Sequence, residues 1–258
     1  MNLSISNIAW SKELDEEIYQ FLNKQGVTAI EIAPTRIFPE NPYDNLKEAC
    51  EYSKIIKDKY NLSISSIQSI WYGISESIFG SEKDREKLID YTKKAIDFAN
   101  VINCENLVFG CPKNRNIPSK GSLCYAIDFF KEVGDYAKQN NTIIAIEPNP
   151  VIYNTNFINT TKEAFEFCRI VDNKAIKVNV DLGTIIYNNE DFSTVKDSIE
   201  LVNHIHISEP MLEPIEKRAL HAELKYLQYN KYFSIEMGNK NDCELVKNKI
   251  LYIMEVLD

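Results

Sequence analysis

The 258 residues are 44% apolar and 26% charged, enough for one large core and too unbiased for a disordered chain. The net charge of -9 argues against a nucleic-acid partner, because phosphate binding needs a basic face. No apolar run approaches the ~18 residues of a membrane span, and the start MNLSISNIAWS lacks the basic and apolar regions of a secretory leader.

Short apolar runs alternate with amphipathic stretches from end to end. The first strand is expected at Leu3–Ala9, followed by Trp10 and a helix over Leu14–Gln25. The second, Ala29–Ala33, carries Glu31 between Ile30 and Ile32, where it points inward to a hydrogen-bond or charge partner rather than to a metal. A helix over Asn45–Tyr60 leads to the strand Ser63–Ile70 and then to Trp71-Tyr72. Asp84–Asn103 reads as helix and Asn106–Gly110 as the fourth strand, with Lys113 and Arg115 just beyond it. Leu123–Asn140 is helical, Thr142–Glu147 is the fifth strand, and Asn159-Thr160-Thr161 resembles an N-cap for a helix over Thr161–Val171. Strands follow at Ile176–Asp181, His204–Ser208 and Tyr232–Glu236. The closing helix, Asp242–Leu257, puts Leu245, Ile250, Ile253 and Leu257 on one face.

Several of the strands are continuous Ile/Val/Leu runs, the mark of parallel strands buried on both faces. Eight of them alternating with about eight helices predict an α/β chain folded as a closed (β/α)8 TIM barrel. No linker divides it, so residues 1–258 are expected to form one domain. The rival, a doubly wound open sheet, normally carries a glycine-rich phosphate loop, and this chain has eight glycines and no GxGxxG. Six cysteines, Cys50, Cys104, Cys111, Cys124, Cys168 and Cys243, form no CxxC pair and read as free thiols of a reducing cytoplasm.

Glu147, Asp181, His206 and Glu236 end the last four strands, each one strand-loop-helix-loop unit after the one before. In such a barrel the C-terminal strand ends converge on one site. Each residue alone can be a cap, an ion-pair partner or a core histidine. Together they point to a divalent cation, because buried carboxylates without a partner cost several kcal/mol each. An oxygen-rich set with one imidazole suits Mn²⁺ or Mg²⁺, and Co²⁺ or Zn²⁺ also fit. Three residues are candidates for the substrate. Arg115, with Lys113, can bind a phosphate or carboxylate or belong to a solvated loop. Trp10, with Trp71-Tyr72, can wall a sugar ring or simply pack. His221 can reach over the mouth or lie exposed on a helix. Glu209 can orient the site from behind the ligands.

The order strand-Glu, strand-Asp, strand-His, strand-Glu resembles the xylose-isomerase-like sugar phosphate isomerase/epimerase barrels. The phrases Gly26-Val27-Thr28-Ala29-Ile30-Glu31-Ile32, Glu147-Pro148-Asn149 with Thr155–Thr160, His204–Glu209 and Tyr229–Glu236 are similar to the family's second, fifth, seventh and eighth strands. The resemblance implies that Glu147, Asp181, His206 and Glu236 ligate one divalent metal, and that Glu147 and Glu236 are the paired acid/base groups. It implies a metal-dependent epimerase or isomerase of a sugar or sugar phosphate, transferring a proton next to a carbonyl while the metal stabilises the enediolate. Barrels of this family often pair, which leaves a homodimer open. Two departures stand out. Thr184 occupies the place where family epimerases often carry a substrate-contacting His, and no Arg follows His206 closely. A dehydratase on the same barrel and a non-catalytic sugar-binding barrel that keeps its metal are the alternatives. Phosphodiester hydrolysis on a zinc cluster needs more than the three histidines present.

Overall fold

The computed structural model describes all 258 residues. Eight parallel strands form one sheet: β1 (Asn2–Ile5), β2 (Ala29–Ile32), β3 (Ser63–Ile67), β4 (Asn106–Phe109), β5 (Ile143–Ile146), β6 (Ile176–Asp181), β7 (Val202–Ser208) and β8 (Tyr232–Glu236). Their order, β1-β8-β7-β6-β5-β4-β3-β2, is that of a barrel. The β1–β2 seam is held by a single parallel bridge, Ser6 to Glu31, and by Ala33 N–H donating to Asn7 Oδ1 at 2.9 Å. The barrel is therefore nearly closed, and its pairing is light at that seam and again between β3 and β4, which share the single pair Ile67–Leu107.

The main helices between the strands are α1 (Asp15–Gln25), α2 (Leu46–Tyr60), α3 (Glu82–Val101), α4 (Leu123–Gln139), α5 (Thr161–Val171), α6 (Leu182–Asn188), α7 (Ala219–Glu223) and α8 (Cys243–Leu257). Local chemistry sets several of their starts. Ser81 and Asp84 form a capping box on α3, and Thr160 and Glu163 form another on α5, satisfying otherwise orphaned N–H groups at both helix starts. Asp181 caps α6 directly from the end of β6. Gly26 ends α1 with φ 78°, a left-handed conformation that costs glycine nothing.

Two expected strands end three or more residues early in the structure, and β2, β4 and β5 differ by only one or two residues. β1 stops at Ile5, because Asn7–Ala9 coils into a 3-10 turn as Asn7 turns its amide to the seam. β3 stops at Ile67, and Ser69 follows at φ 55°. α6, unassigned by hydrophobic periodicity, owes its start to the Asp181 cap.

Between barrel and helices lies an apolar shell that includes an aromatic train. Trp71 meets Phe109 and Phe129, and Phe130 meets Phe109, Phe129 and Phe167, all edge-on with centroids 4.8–5.6 Å apart. Inside the barrel the lining is polar instead. Glu31, Gln68, Asn106, Asn179, His204, His206 and Ser234 are all buried there. Such a lining is tolerated only if its members satisfy one another, and mostly they do.

Candidate metal centre and active site

Strand alternation explains which side chains reach the interior. Residues two apart share a face, so Asn179 and Asp181 on β6, and His204, His206 and Ser208 on β7, point inward together. One donor atom from each of Glu147, Asp181, His206 and Glu236 falls within 4.8 Å of the others, the arrangement a single cation needs. His206 Nδ1 lies 2.8 Å from Glu147 Oε1 and 3.2 Å from Glu236 Oε2.

The other ring nitrogen of His206 settles its orientation. Nε2 is 3.0 Å from Glu31 Oε2, and the same oxygen lies 3.1 Å from His204 Nε2. Gln68 Nε2 donates to the second Glu31 oxygen at 3.2 Å. A carboxylate holding the Nε2 proton leaves Nδ1 facing the three acids as the nitrogen that gives up its proton to a cation, the tautomer a metal ligand requires. Burial alone would raise the Glu31 carboxyl, but the two imidazoles outweigh it and hold Glu31 ionised. Burial disfavours a charged His206 too, yet Glu236, Glu31 and Glu147 reverse this and raise its pKa well above the ordinary value.

The three carboxylates differ in their support. Glu147 Oε1 accepts from Asn179 Nδ2 at 2.8 Å, and Oε2 accepts from Asn149 Nδ2 at 3.1 Å. Asp181 Oδ1 accepts from Thr184 N at 2.6 Å and Thr184 Oγ1 at 2.8 Å, while Ser208 donates to Oδ2. Glu236 has His206 as its one close polar neighbour. Burial, together with their acidic neighbours, raises both Asp181 and Glu236 above the usual carboxylate range. Buried acids crowded this way are costly unless a cation offsets their charge. The donor set, the crowding and the imidazole tautomer all fit a divalent cation.

A small mouth of about 190 Å³ opens over these groups. Gln68, Ser69, Cys111, Tyr153, Glu209 and Leu212 help to line it, and no Lys or Arg does. Tyr153 OH accepts from Met211 N at 2.8 Å, tying the loop after β7 to the loop after β5. Met211 and Leu212 hold φ of 61° and 55°, two consecutive left-handed residues without glycine.

Gly110 is needed for a close approach. A Cβ there would stand 2.5 Å from Glu147 Oε2. Gly110→Ala is therefore expected to push the Glu147 carboxylate aside while leaving the fold intact, since the clash is with the end of a side chain. Displacement on the order of 1 Å costs about 10²-fold in turnover, to be read against an unchanged circular dichroism spectrum and melting temperature.

The remaining candidates, Glu209 excepted, are not at the mouth. Arg115 is fully buried beneath it, donating to Glu147 O at 2.9 Å and Asn149 Oδ1 at 2.8 Å. It buttresses the segment that carries Glu147 through its two terminal nitrogens, while Nε has no partner. Lys113 is exposed on the following turn. Trp10 is buried with its Nε1 donating to Asp15 Oδ1 at 2.8 Å, and Trp71 donates to Thr92 Oγ1 at 3.0 Å, so both are framework rather than sugar wall. Glu209 lines the mouth, but Arg218 clamps its carboxylate with two bonds of 2.7 and 2.6 Å. Asn179, Ser208, Gly110, Gln68 and Tyr153 were not singled out from sequence. Asn179 and Ser208 were detectable, each two residues from a ligand on the same strand face.

His221 is neither over the mouth nor exposed. It is buried beside α8, with Nδ1 3.1 Å from Tyr252 OH. Burial pushes its imidazole from the ordinary 6.5 down to about 4. The unfolded chain thus takes up the proton first, so stability is full above about pH 6.5 and is lost as pH falls toward 4. The expected loss is about 1.4 kcal/mol per pH unit over that window. Urea unfolding of wild type and His221→Gln from pH 7 to pH 4 checks this; parallel profiles would remove His221 as the cause.

A barrel of parallel strands whose C-terminal ends gather three carboxylates and an imidazole defines the class: a β/α barrel with a centre suited to one divalent cation. The chain belongs to the xylose isomerase-like TIM barrel family, whose model matches residues 19–253. No curated protein matches it by sequence. The fold is similar to that of D-psicose 3-epimerase from Clostridium cellulolyticum H10, solved with D-tagatose, at TM-score 0.82 and 14% identity over 100% of both chains. It is also similar to the apo form of 3-keto-D-glucoside 4-epimerase, YcjR, from E. coli, at TM-score 0.79 and 16% identity over 99% of both chains. A third neighbour, the IOLI protein solved with a zinc atom, has TM-score 0.75 and 15% identity over 100% of this chain and 98% of its own. At these identities the likeness establishes the fold alone.

Proposed function

We propose that this chain is a divalent-metal-dependent epimerase or isomerase of a free monosaccharide, moving a proton next to a carbonyl. The convergence of Glu147, Asp181, His206 and Glu236 within 4.8 Å carries the reading. These four would hold Mn²⁺ or Mg²⁺, with Co²⁺ or Zn²⁺ as substitutes; a neighbour that binds zinc supports a metal here. The cation, when bound, supplies the positive charge that makes a proton next to a carbonyl acidic.

Glu147 and Glu236 do the proton work in this reading. They come from strands three apart in the barrel order and so approach the mouth from different sides. One takes the proton, and the other returns one to the opposite face, inverting the centre. Glu236 has the fewer protein partners and is the freer of the two. Asp181, tied by Thr184 and Ser208, stays a ligand. Thr184 has its hydroxyl committed to Pro148 O and Asp181, so it does not replace the substrate-contacting imidazole of related epimerases.

The lining favours a neutral sugar over its phosphate. Four acids, Glu147, Asp181, Glu209 and Glu236, face a mouth without a basic side chain. Epimerase neighbours support the sugar class. His206 is the one imidazole of the centre, which disfavours a histidine-rich zinc cluster for phosphodiester hydrolysis. We further read residues 1–258 as a single domain of a cytoplasmic protein; six unpaired cysteines support the compartment. No helix is long and apolar enough to cross a membrane.

Proton NMR of a panel of ketoses and ketose phosphates in D₂O, with protein and Mn²⁺, tests the reading. Deuterium should enter next to the carbonyl of a free ketose and stop entering with EDTA. Loss of water from the sugar would indicate a dehydratase instead. Metal binding without exchange across the panel would indicate a binding barrel.

A further inference from the structure

A cavity much larger than the acidic mouth lies at the opposite end of the barrel from it. It measures about 780 Å³, against about 190 Å³ at the catalytic mouth, and falls within the size range of small-molecule sites. Lys138, Lys174, Lys177 and Lys231 line it, with Glu105 as the single carboxylate. In a chain of net charge -9 this is a local reversal of sign. Neither Lys138 nor Lys174 pairs with a carboxylate within 4.0 Å.

Beneath the ammonium groups lies a built polar floor. Asn106, Asn203 and His204 line the cavity and are exposed by only 3%, 7% and 1%. Asn203 Nδ2 donates to Asn106 Oδ1 at 2.6 Å, Asn106 Nδ2 donates to Ser66 Oγ at 2.8 Å, and Lys231 donates to Asn203 Oδ1. The floor is thus held in place from inside the barrel. Partial burial lowers the Lys231 ammonium, and the Lys177 charge lowers it further, so the two cations repel one another across the cavity. Like charges gathered in a concavity oppose folding unless an anion is there to offset them.

We infer that the N-terminal mouth of the barrel binds a small, multiply charged anion of the phosphate class. Four ammonium groups match an anion carrying two or more negative charges, and the asparagine floor offers amides to its hydroxyl or phosphate oxygens. Inorganic pyrophosphate is the simplest probe of that chemistry. The site is independent of the acidic centre, so it stands or falls apart from the proposed epimerase activity.

Isothermal titration calorimetry of the full chain, with no metal added, tests it with pyrophosphate and with inorganic phosphate. Pyrophosphate should bind saturably at one equivalent and about tenfold or more tighter than phosphate, having the greater charge. The double variant Lys138→Ala/Lys174→Ala removes two exposed lysines and should weaken pyrophosphate about tenfold or more with an unchanged circular dichroism spectrum. Asp181→Asn, at the other end of the barrel, should bind pyrophosphate as wild type does. No saturable binding in the low-millimolar range would overturn the inference. So would binding indifferent to the two lysines, or binding lost in Asp181→Asn, which would assign the anion to a cation held at the acidic centre.

Discussion

Glu236→Gln is expected to lower deuterium exchange and turnover by about 10²–10⁴-fold, the usual contribution of a positioned acid/base group, while the protein stays folded. The shapes of the two side chains match, so no cavity opens at the end of β8. Glu236 has a single close polar neighbour, His206 Nδ1 at 3.2 Å, so few native hydrogen bonds are lost. Removing one of three crowded carboxylates also relieves repulsion in a largely buried cluster. The variant should therefore melt at or above the wild-type temperature. Because Glu236 is also a proposed ligand, turnover is to be compared at saturating Mn²⁺, where a loss of affinity alone would be restored. Full activity under those conditions would take Glu236 out of the base role.

His206→Ala should have the largest combined effect, on metal content and on stability together. It removes the one imidazole from the donor set and also orphans Glu31, which is fully buried and accepts from His206 Nε2 at 3.0 Å. Removing one partner of a buried charge pair costs about 3–5 kcal/mol, and His204 and Gln68 offset only part of it. Asp181→Asn separates the two effects. Asn still caps α6, and no distant charge is stranded, so that variant should lose metal affinity with little change in melting. Equilibrium dialysis with Mn²⁺, followed by thermal denaturation, reads both quantities on each protein. Wild-type occupancy in His206→Ala would mean that the cation is bound elsewhere. Equal stability of the two variants would mean that Glu31 does not depend on His206.

Much of the fold was legible because parallel barrel strands are buried on both faces and so appear as unbroken apolar runs. The helix over Thr161–Val171 was readable to the residue because its capping box is local chemistry. β1 was overestimated because Ile8 and Ala9 continue the apolar pattern, while the turn that ends the strand is held by Asn7 reaching across to Ala33. That contact joins residues far apart in sequence, and periodicity carries no record of it. The substrate candidates fared differently for the same reason. Arg115, Trp10 and His221 have the right chemistry for a sugar or anion, but each is buried and committed to a partner that only the folded chain brings near.

The sequence by itself determined the alternation of strand and helix and the placing of Glu147, Asp181, His206 and Glu236 at successive strand ends. Hydrophobic period and residue order are local properties, and a barrel converts order along the chain into neighbours around a ring. Only the tertiary structure decided the rest. It brought Glu31 across from β2 to orient His206, set Gly110 under Glu147, left the acidic mouth without a cation of its own, and collected four lysines at the far end. Those relations depend on distances between residues many positions apart, which closure of the barrel fixes and one-dimensional pattern does not.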